Sequence, residues 1–189
     1  MLRLRHNALN MNSEEVRKIE EMFRSSESHD ELFDAFQGAM RIKLTDLESY
    51  KILLANPVLS PDEIKMFAEK LLKEMPEDSF SLLMWTGKIF ESHPDIYNRM
   101  EDAFNYYSRA ALHQPDLSAP LLRLLNLYNY DIEFPLNGKI IDVIEKSIEA
   151  VERKSDLYYS LSSHYKKCGD KRREVAYLGL AEKAARKES

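Results

Sequence analysis

At 189 residues the chain is long enough for one domain or for an array of roughly four to five helix pairs. Its balance of 31% charged and 44% hydrophobic residues excludes a disordered chain, and five Gly and seven Pro spread along the length leave no flexible linker. A net charge of −5 argues against a dedicated nucleic-acid binder, which carries a basic domain, and Cys168 as the one cysteine excludes an intramolecular disulfide.

The opening Met1-Leu2-Arg3-Leu4-Arg5-His6 has no apolar core of the kind a signal peptide needs. It reads, with residues up to Asn12, as an N-terminal tail, 1–12. Ser13-Glu14-Glu15 then opens a helix with Val16, Ile19 and Phe23 on one face, and Ser28-His29-Asp30-Glu31 opens a second with Leu32, Phe36 and Ala39. These form a degenerate helix pair over 13–45.

From residue 46 onward the pattern becomes periodic. Leu47, Tyr50, Lys51 and Leu54 mark a first helix, and Ser60-Pro61-Asp62-Glu63 a strong helix start: a serine to cap, proline for the first turn, glutamate to close a capping box. Ile64, Ala68, Leu71 and Pro76 follow at intervals of 4, 3 and 5. The next unit repeats both halves. Leu83, Thr86, Gly87 and Phe90 lie on a helix predicted over 79–91, with Gly87 at the point of closest helix approach. His93-Pro94-Asp95 breaks it, and Ala103, Tyr107, Ala110 and Pro115 repeat the 4, 3, 5 spacing on a helix predicted from Met100 to His113.

In the following unit Leu121, Leu124, Leu125 and Tyr128 belong to the first helix, Pro135, Asn137 and Gly138 to a turn, and Ile140, Ile144 and Ser147 to the second helix. In the last, Tyr158, Leu161, Ser162 and Tyr165 are followed by a Gly169-Asp170 turn, then Leu178 and Ala181, with Glu174 where a small apolar residue is expected. The leading residues Leu47, Leu83, Leu121 and Tyr158 are separated by 36, 38 and 37 positions. No segment shows the two-residue alternation of strands. The expected fold is all-α.

These spacings resemble the tetratricopeptide repeat, whose consensus runs Trp-x2-Leu-Gly-x2-Tyr, Ala-x3-Phe and Pro over about 34 residues. The resemblance covers Asp46 to Lys187 and implies a right-handed superhelical array of antiparallel helix pairs, about nine to ten helices in all. The repeat domain is expected over 46–189, with units at 46–76, 79–115, 118–153 and 155–187. Such pairs cannot bury both faces alone, so stacking supplies a continuous core.

The resemblance further implies a protein–protein interaction scaffold, a subunit of a larger complex, that grips a partner peptide or helix in the array's inner groove. In this register the groove positions are Met84, Lys88, Leu122, Asn126, Asn129, Tyr159, Ser163 and Lys166. A chaperone-type carboxylate clamp needs several Lys, Arg and Asn there. Lys88 and Asn126 fit that pattern, whereas Met84, Leu122 and Tyr159 are apolar and suit an amphipathic segment better. Phe104-x-x-Tyr107-Ser108-Arg109-Ala110 also resembles the half-a-tetratricopeptide repeat of RNA-processing complexes. The stretch from His93 through Ala103 to Pro115 is similar to the cytosolic repeat subunit of the endoplasmic reticulum membrane protein complex.

No catalytic pattern accompanies the repeats. Gly138-Lys139 lacks the rest of a phosphate loop, no His-Glu-x-x-His or Cys-x-x-Cys is present, and His6, His29, His93, His113 and His164 lie far apart in sequence. No enzyme activity, cofactor or metal is therefore expected. Cys168 beside Lys166, Lys167 and Lys171 reads as a turn-flanking thiol, and the Tyr128, Tyr130, Tyr158, Tyr159, Tyr165 cluster as core packing. The longest apolar stretch, Leu121 to Tyr130, is interrupted by Arg123, Asn126 and Asn129, which predicts no membrane insertion and a cytoplasmic location. The final helix, ending in Ala181, Ala184 and Ala185, is expected to leave apolar surface for a partner or a second copy.

Overall fold

The computed structural model describes the backbone of residues 2–93, 95–131 and 134–189, with side chains described from residue 13 onward and those of 96 and 97 left aside. The fold is all-helical, with no strand among the described residues. Among the described residues ten α-helices run in order: α1 Leu2–Ser25, α2 His29–Arg41, α3 Leu47–Leu54, α4 Pro61–Glu74, α5 Ser79–Glu91, α6 Ile96–His113, α7 Ala119–Asn126, α8 Pro135–Ser147, α9 Ser155–Lys167 and α10 Lys171–Glu188. They fall into two compact units, Met1–Asp78 and Ser79–Ser189. The helix pair at 46–76 thus groups with the N-terminal pair, not with the units after it as the expected 46–189 domain had it.

In the first unit, α1 is already helical at Leu2, so Ser13 lies inside it and the stretch expected as a tail is its first half. Residues 2–12 contain no Gly or Pro, and nothing there obliges the helix to wait. Ser28 caps α2 by accepting from the Glu31 N–H. Ser60 caps α4 in a full capping box: its hydroxyl accepts from the Glu63 N–H, and the Glu63 carboxylate accepts from the Ser60 N–H at 2.8 Å. The same carboxylate meets His29 Nδ1 at 2.9 Å, tying the start of α4 to the start of α2.

Ile64, Ala68 and Leu71 are all buried, as their spacing demands. The core of this unit is aromatic, with Phe36 4.5 Å from Phe67 and both Phe23 and Phe36 about 6 Å from Tyr50 between ring centroids. Tyr50 is fully buried and its hydroxyl donates to the Leu44 carbonyl at 2.9 Å. Asn56, in the turn after α3, donates through Nδ2 to the carbonyls of Phe23 and Ser26 and accepts through Oδ1 from the Val58 N–H. One side chain thereby fastens the α3–α4 connection to the end of α1.

In the second unit, α5 packs against α6, α6 against α7 and α8, α7 against α8 and α9, and α9 against α10. Ala103, Tyr107 and Ala110 are fully buried on α6, which starts at Ile96, four residues before the expected Met100. A Cβ on Gly87 would stand 2.7 and 2.8 Å from two ring carbons of Tyr107. The missing side chain is what lets the Tyr107 ring lie on the α5 backbone, so the close approach expected at Gly87 is present. Phe90 stacks on Tyr106 at 5.8 Å beside it.

Three further expectations shift in this unit. α7 ends at Asn126, so Tyr128 stands beyond the helix. Pro135, Asn137 and Gly138 belong to the first turn of α8 and not to a loop; Pro135 takes the first helical position, where its missing N–H costs nothing. On α10 the aromatic that enters the core is Tyr177 in place of Leu178, which stays 39% exposed. Tyr177 stacks on Tyr165 at 5.4 Å, and Ala181 is fully buried as expected. The inward face of α10 therefore runs Glu174, Tyr177, Ala181, Ala184, at alternating steps of three and four.

Candidate interaction surface

The expected groove positions all lie in the second unit, on α5, α7 and α9 and the turn after α7. Each helix carries them one turn apart on one face: Met84 and Lys88, Leu122 and Asn126, Tyr159 with Ser163 and Lys166. Met84 and Leu122 are half-buried, Lys88, Asn126, Ser163 and Lys166 are exposed, and Tyr159 is 43% exposed. Lys88 Nζ sits 5.2 Å from the centre of the Trp85 ring, so its charge is held over an aromatic face of its own helix. α7 and α9 pack on each other, which places the Leu122 and Tyr159 helices side by side.

Asn129 differs from the other seven. It lies in the turn after α7, and its backbone is locked to Asn137: Asn137 Nδ2 donates to the Asn129 carbonyl at 2.7 Å, and Asn137 Oδ1 accepts from the Asn129 N–H at 3.0 Å. Its own Oδ1 accepts from the Asp131 N–H. The side chain serves the turn and is not a helix-face position, as periodicity alone had placed it. Asn126 and Asn129 do come together, lining a cavity of about 450 Å³ with Glu91, Met100, Tyr128 and Tyr130. At its edge Glu91 accepts from the Tyr107 hydroxyl and lies 3.8 Å from Arg123.

A second cavity, of about 700 Å³, opens between the turn after α7, the start of α8 and the end of α9, lined by Tyr128, Tyr130, Phe134, Lys167 and Cys168 among others. Behind it lies His164, only 2% exposed. Its Nδ1 bonds the Tyr130 hydroxyl at 2.9 Å, its Nε2 lies 3.7 Å from Cys168 Sγ, and Tyr128 meets it edge-on at 4.4 Å. Lys167 caps the cluster 4.9 Å above the Tyr130 ring.

His164 and Cys168 belong to no shared sequence motif beyond their spacing. Their i, i+4 spacing at the end of one helix was the signal that could have joined them. Of the expected tyrosine core, Tyr158 and Tyr165 are buried, whereas Tyr130 and Tyr159 are exposed. Burial and then the Glu145 hydrogen bond push the Tyr165 phenol up to about 12. Among the described residues no three His, Cys, Asp or Glu side chains are placed to hold a metal ion.

Burial, and secondarily the Lys167 charge, lower the His164 pKa from its ordinary value near 6.5. The folded protein keeps the ring neutral where the unfolded chain would take up a proton. The stability that the neutral ring supports is therefore present above about pH 6.5 and is lost as the pH falls from there through the lowered folded value. Chemical denaturation of the wild type at a series of pH values should show that loss, at up to about 1.4 kcal/mol per pH unit. His164→Gln should flatten it.

No helix among the described residues is long and apolar enough to cross a membrane. Comparison with protein-family models, with curated proteins and with solved structures finds no match for this chain.

Proposed function

We propose that this protein is a non-catalytic interaction scaffold of the tetratricopeptide type, a subunit or adaptor that holds an amphipathic helix or extended segment of a partner protein along α5, α7 and α9. One observation carries the reading. On each of these three helices a residue able to make apolar contact, Met84, Leu122 or Tyr159, is left accessible one turn from a polar neighbour, Lys88, Asn126 or Ser163. An apolar strip with a polar border is what an amphipathic segment needs to dock with its flanks still solvated. The successive helix pairs of the second unit, each resting on the next, support a solenoid arrangement of this surface. The single cysteine supports a reducing compartment such as the cytoplasm.

The test is affinity purification of the tagged protein from its own cells, beside a variant carrying Met84→Gln, Leu122→Gln and Tyr159→Ser. The wild type should retain a defined set of proteins and the variant should lose them while keeping its helical circular dichroism. Identical protein sets from the two would overturn the assignment of this face.

A further inference from the structure

The outward sides of α2 and α10 are complementary to each other in charge. The first unit holds 11 Lys and Arg against 16 Asp and Glu, a net charge of −5, while α10 holds six against three, a net +3. On α2, Asp30, Phe33, Asp34 and Gln37 are exposed at i, i+3, i+4 and i+7, so one acidic face surrounds Phe33, which is 42% exposed. On α10 the outward face carries Arg172, Val175, Ala176, Gly179, Lys183 and Arg186, with the carboxylate of Glu182 at its edge, and Val175 is 56% exposed.

Gly179 sharpens the contrast. A Cβ there would meet nothing within 4 Å, so nothing near it in its own chain requires the glycine, and a mid-helix glycine weakens the helix. Between Val175 and Arg186 it leaves a shallow hollow floored by backbone. That hollow suits a large apolar side chain arriving with carboxylates on either side, and Phe33 between Asp30 and Asp34 has this pattern.

We infer that copies of this chain associate head to tail, the acidic α2 face of one copy seating Phe33 over Val175 and Gly179 on the basic α10 face of the next. The contact is heterologous, because the two faces differ, so it propagates into short chains or closes as a ring. It leaves the α5, α7 and α9 surface free and stands independently of the function proposed above. Because the charges sit at the rim, association weakens as salt screens them.

Sedimentation velocity of the whole chain in low and high salt tests this. The wild type should sediment faster with rising concentration at low salt and return to a monomer at high salt. Arg172→Glu with Arg186→Glu, or Asp30→Lys with Asp34→Lys, should each weaken association by at least about tenfold. An equimolar mixture of the two double variants should assemble again, since each now offers the face its partner lacks. Phe33→Ser and Val175→Ser, which leave every charge in place, should weaken it as well. A wild type that stays monomeric at low salt overturns the inference and leaves a separate acidic protein as the occupant of α10. So does association that ignores the charge reversals, or a mixture that remains monomeric.

Discussion

Tyr107→Ala should cost about 3–5 kcal/mol of stability, read from denaturant unfolding, because it removes a fully buried aromatic from the seam between α5 and α6. Gly87→Ala acts on the same contact from the other side. Alanine favours a helix over glycine by about 1 kcal/mol, so on propensity alone it should stabilise α5. The new methyl, however, would lie under 3 Å from Tyr107 Cε1 and Cδ1, and the rigid ring, held through its hydroxyl by Glu91, has little room to retreat. Overpacking should win, with a net loss of about 1–3 kcal/mol. The two changes should then be strongly non-additive. In the Tyr107→Ala background the clash is gone, and Gly87→Ala should become neutral or stabilising. Additive costs in that cycle would mean that the glycine is not there for the ring.

Asn56→Ala is the second large effect expected, about 3 kcal/mol, because it strips partners from the Phe23 and Ser26 carbonyls and from the Val58 N–H at a site 6% exposed. Asn56→Asp separates geometry from chemistry. The shape and the Val58 acceptor survive, but an ionised carboxylate would face two carbonyl oxygens where the amide had donated. Its midpoint should lie below that of the wild type at neutral pH and recover in part under acid, where protonation restores one donor. A change in midpoint that is the same at both pH values would contradict this assignment of the Asn56 hydrogen bonds.

The sequence made the inward faces of the helices legible where periodicity and residue size agree. Leu83, Thr86, Gly87 and Phe90 are buried on α5, and Ala103, Tyr107 and Ala110 on α6, because small and large residues recur at steps that only one helix face can satisfy. The capping box at Ser60 was equally plain, since its chemistry is complete within four residues. Periodicity fixes a face only to within about a residue, so it does not choose between the neighbours Tyr177 and Leu178; packing against Tyr165 selects the aromatic.

The candidate surface was less legible, for a related reason. Asn129 was projected onto a helix that stops at Asn126, because the bonds that organise the turn come from Asn137, eight residues on. The His164, Tyr130 and Cys168 cluster spans 34 residues between Tyr130 and His164 and draws on two segments, so no local pattern announces all of it. The grouping of residues 46–76 with the N-terminal pair depends on packing among Phe23, Phe36, Tyr50 and Phe67, which repeat arithmetic does not weigh.

The interaction surface itself is open to hydroxyl-radical footprinting of the complex purified with its partner, set against the chain alone. Met84 and Tyr159 are reactive, accessible reporters on α5 and α9, and Leu112 on α6 and Leu180 on α10 report from outside the groove. Met84 and Tyr159 should lose labelling together when the partner is bound, while Leu112 and Leu180 keep theirs. Unchanged labelling of Met84 and Tyr159, with protection at Leu112 or along α10, would contradict the assignment of α5, α7 and α9 as the partner-binding face.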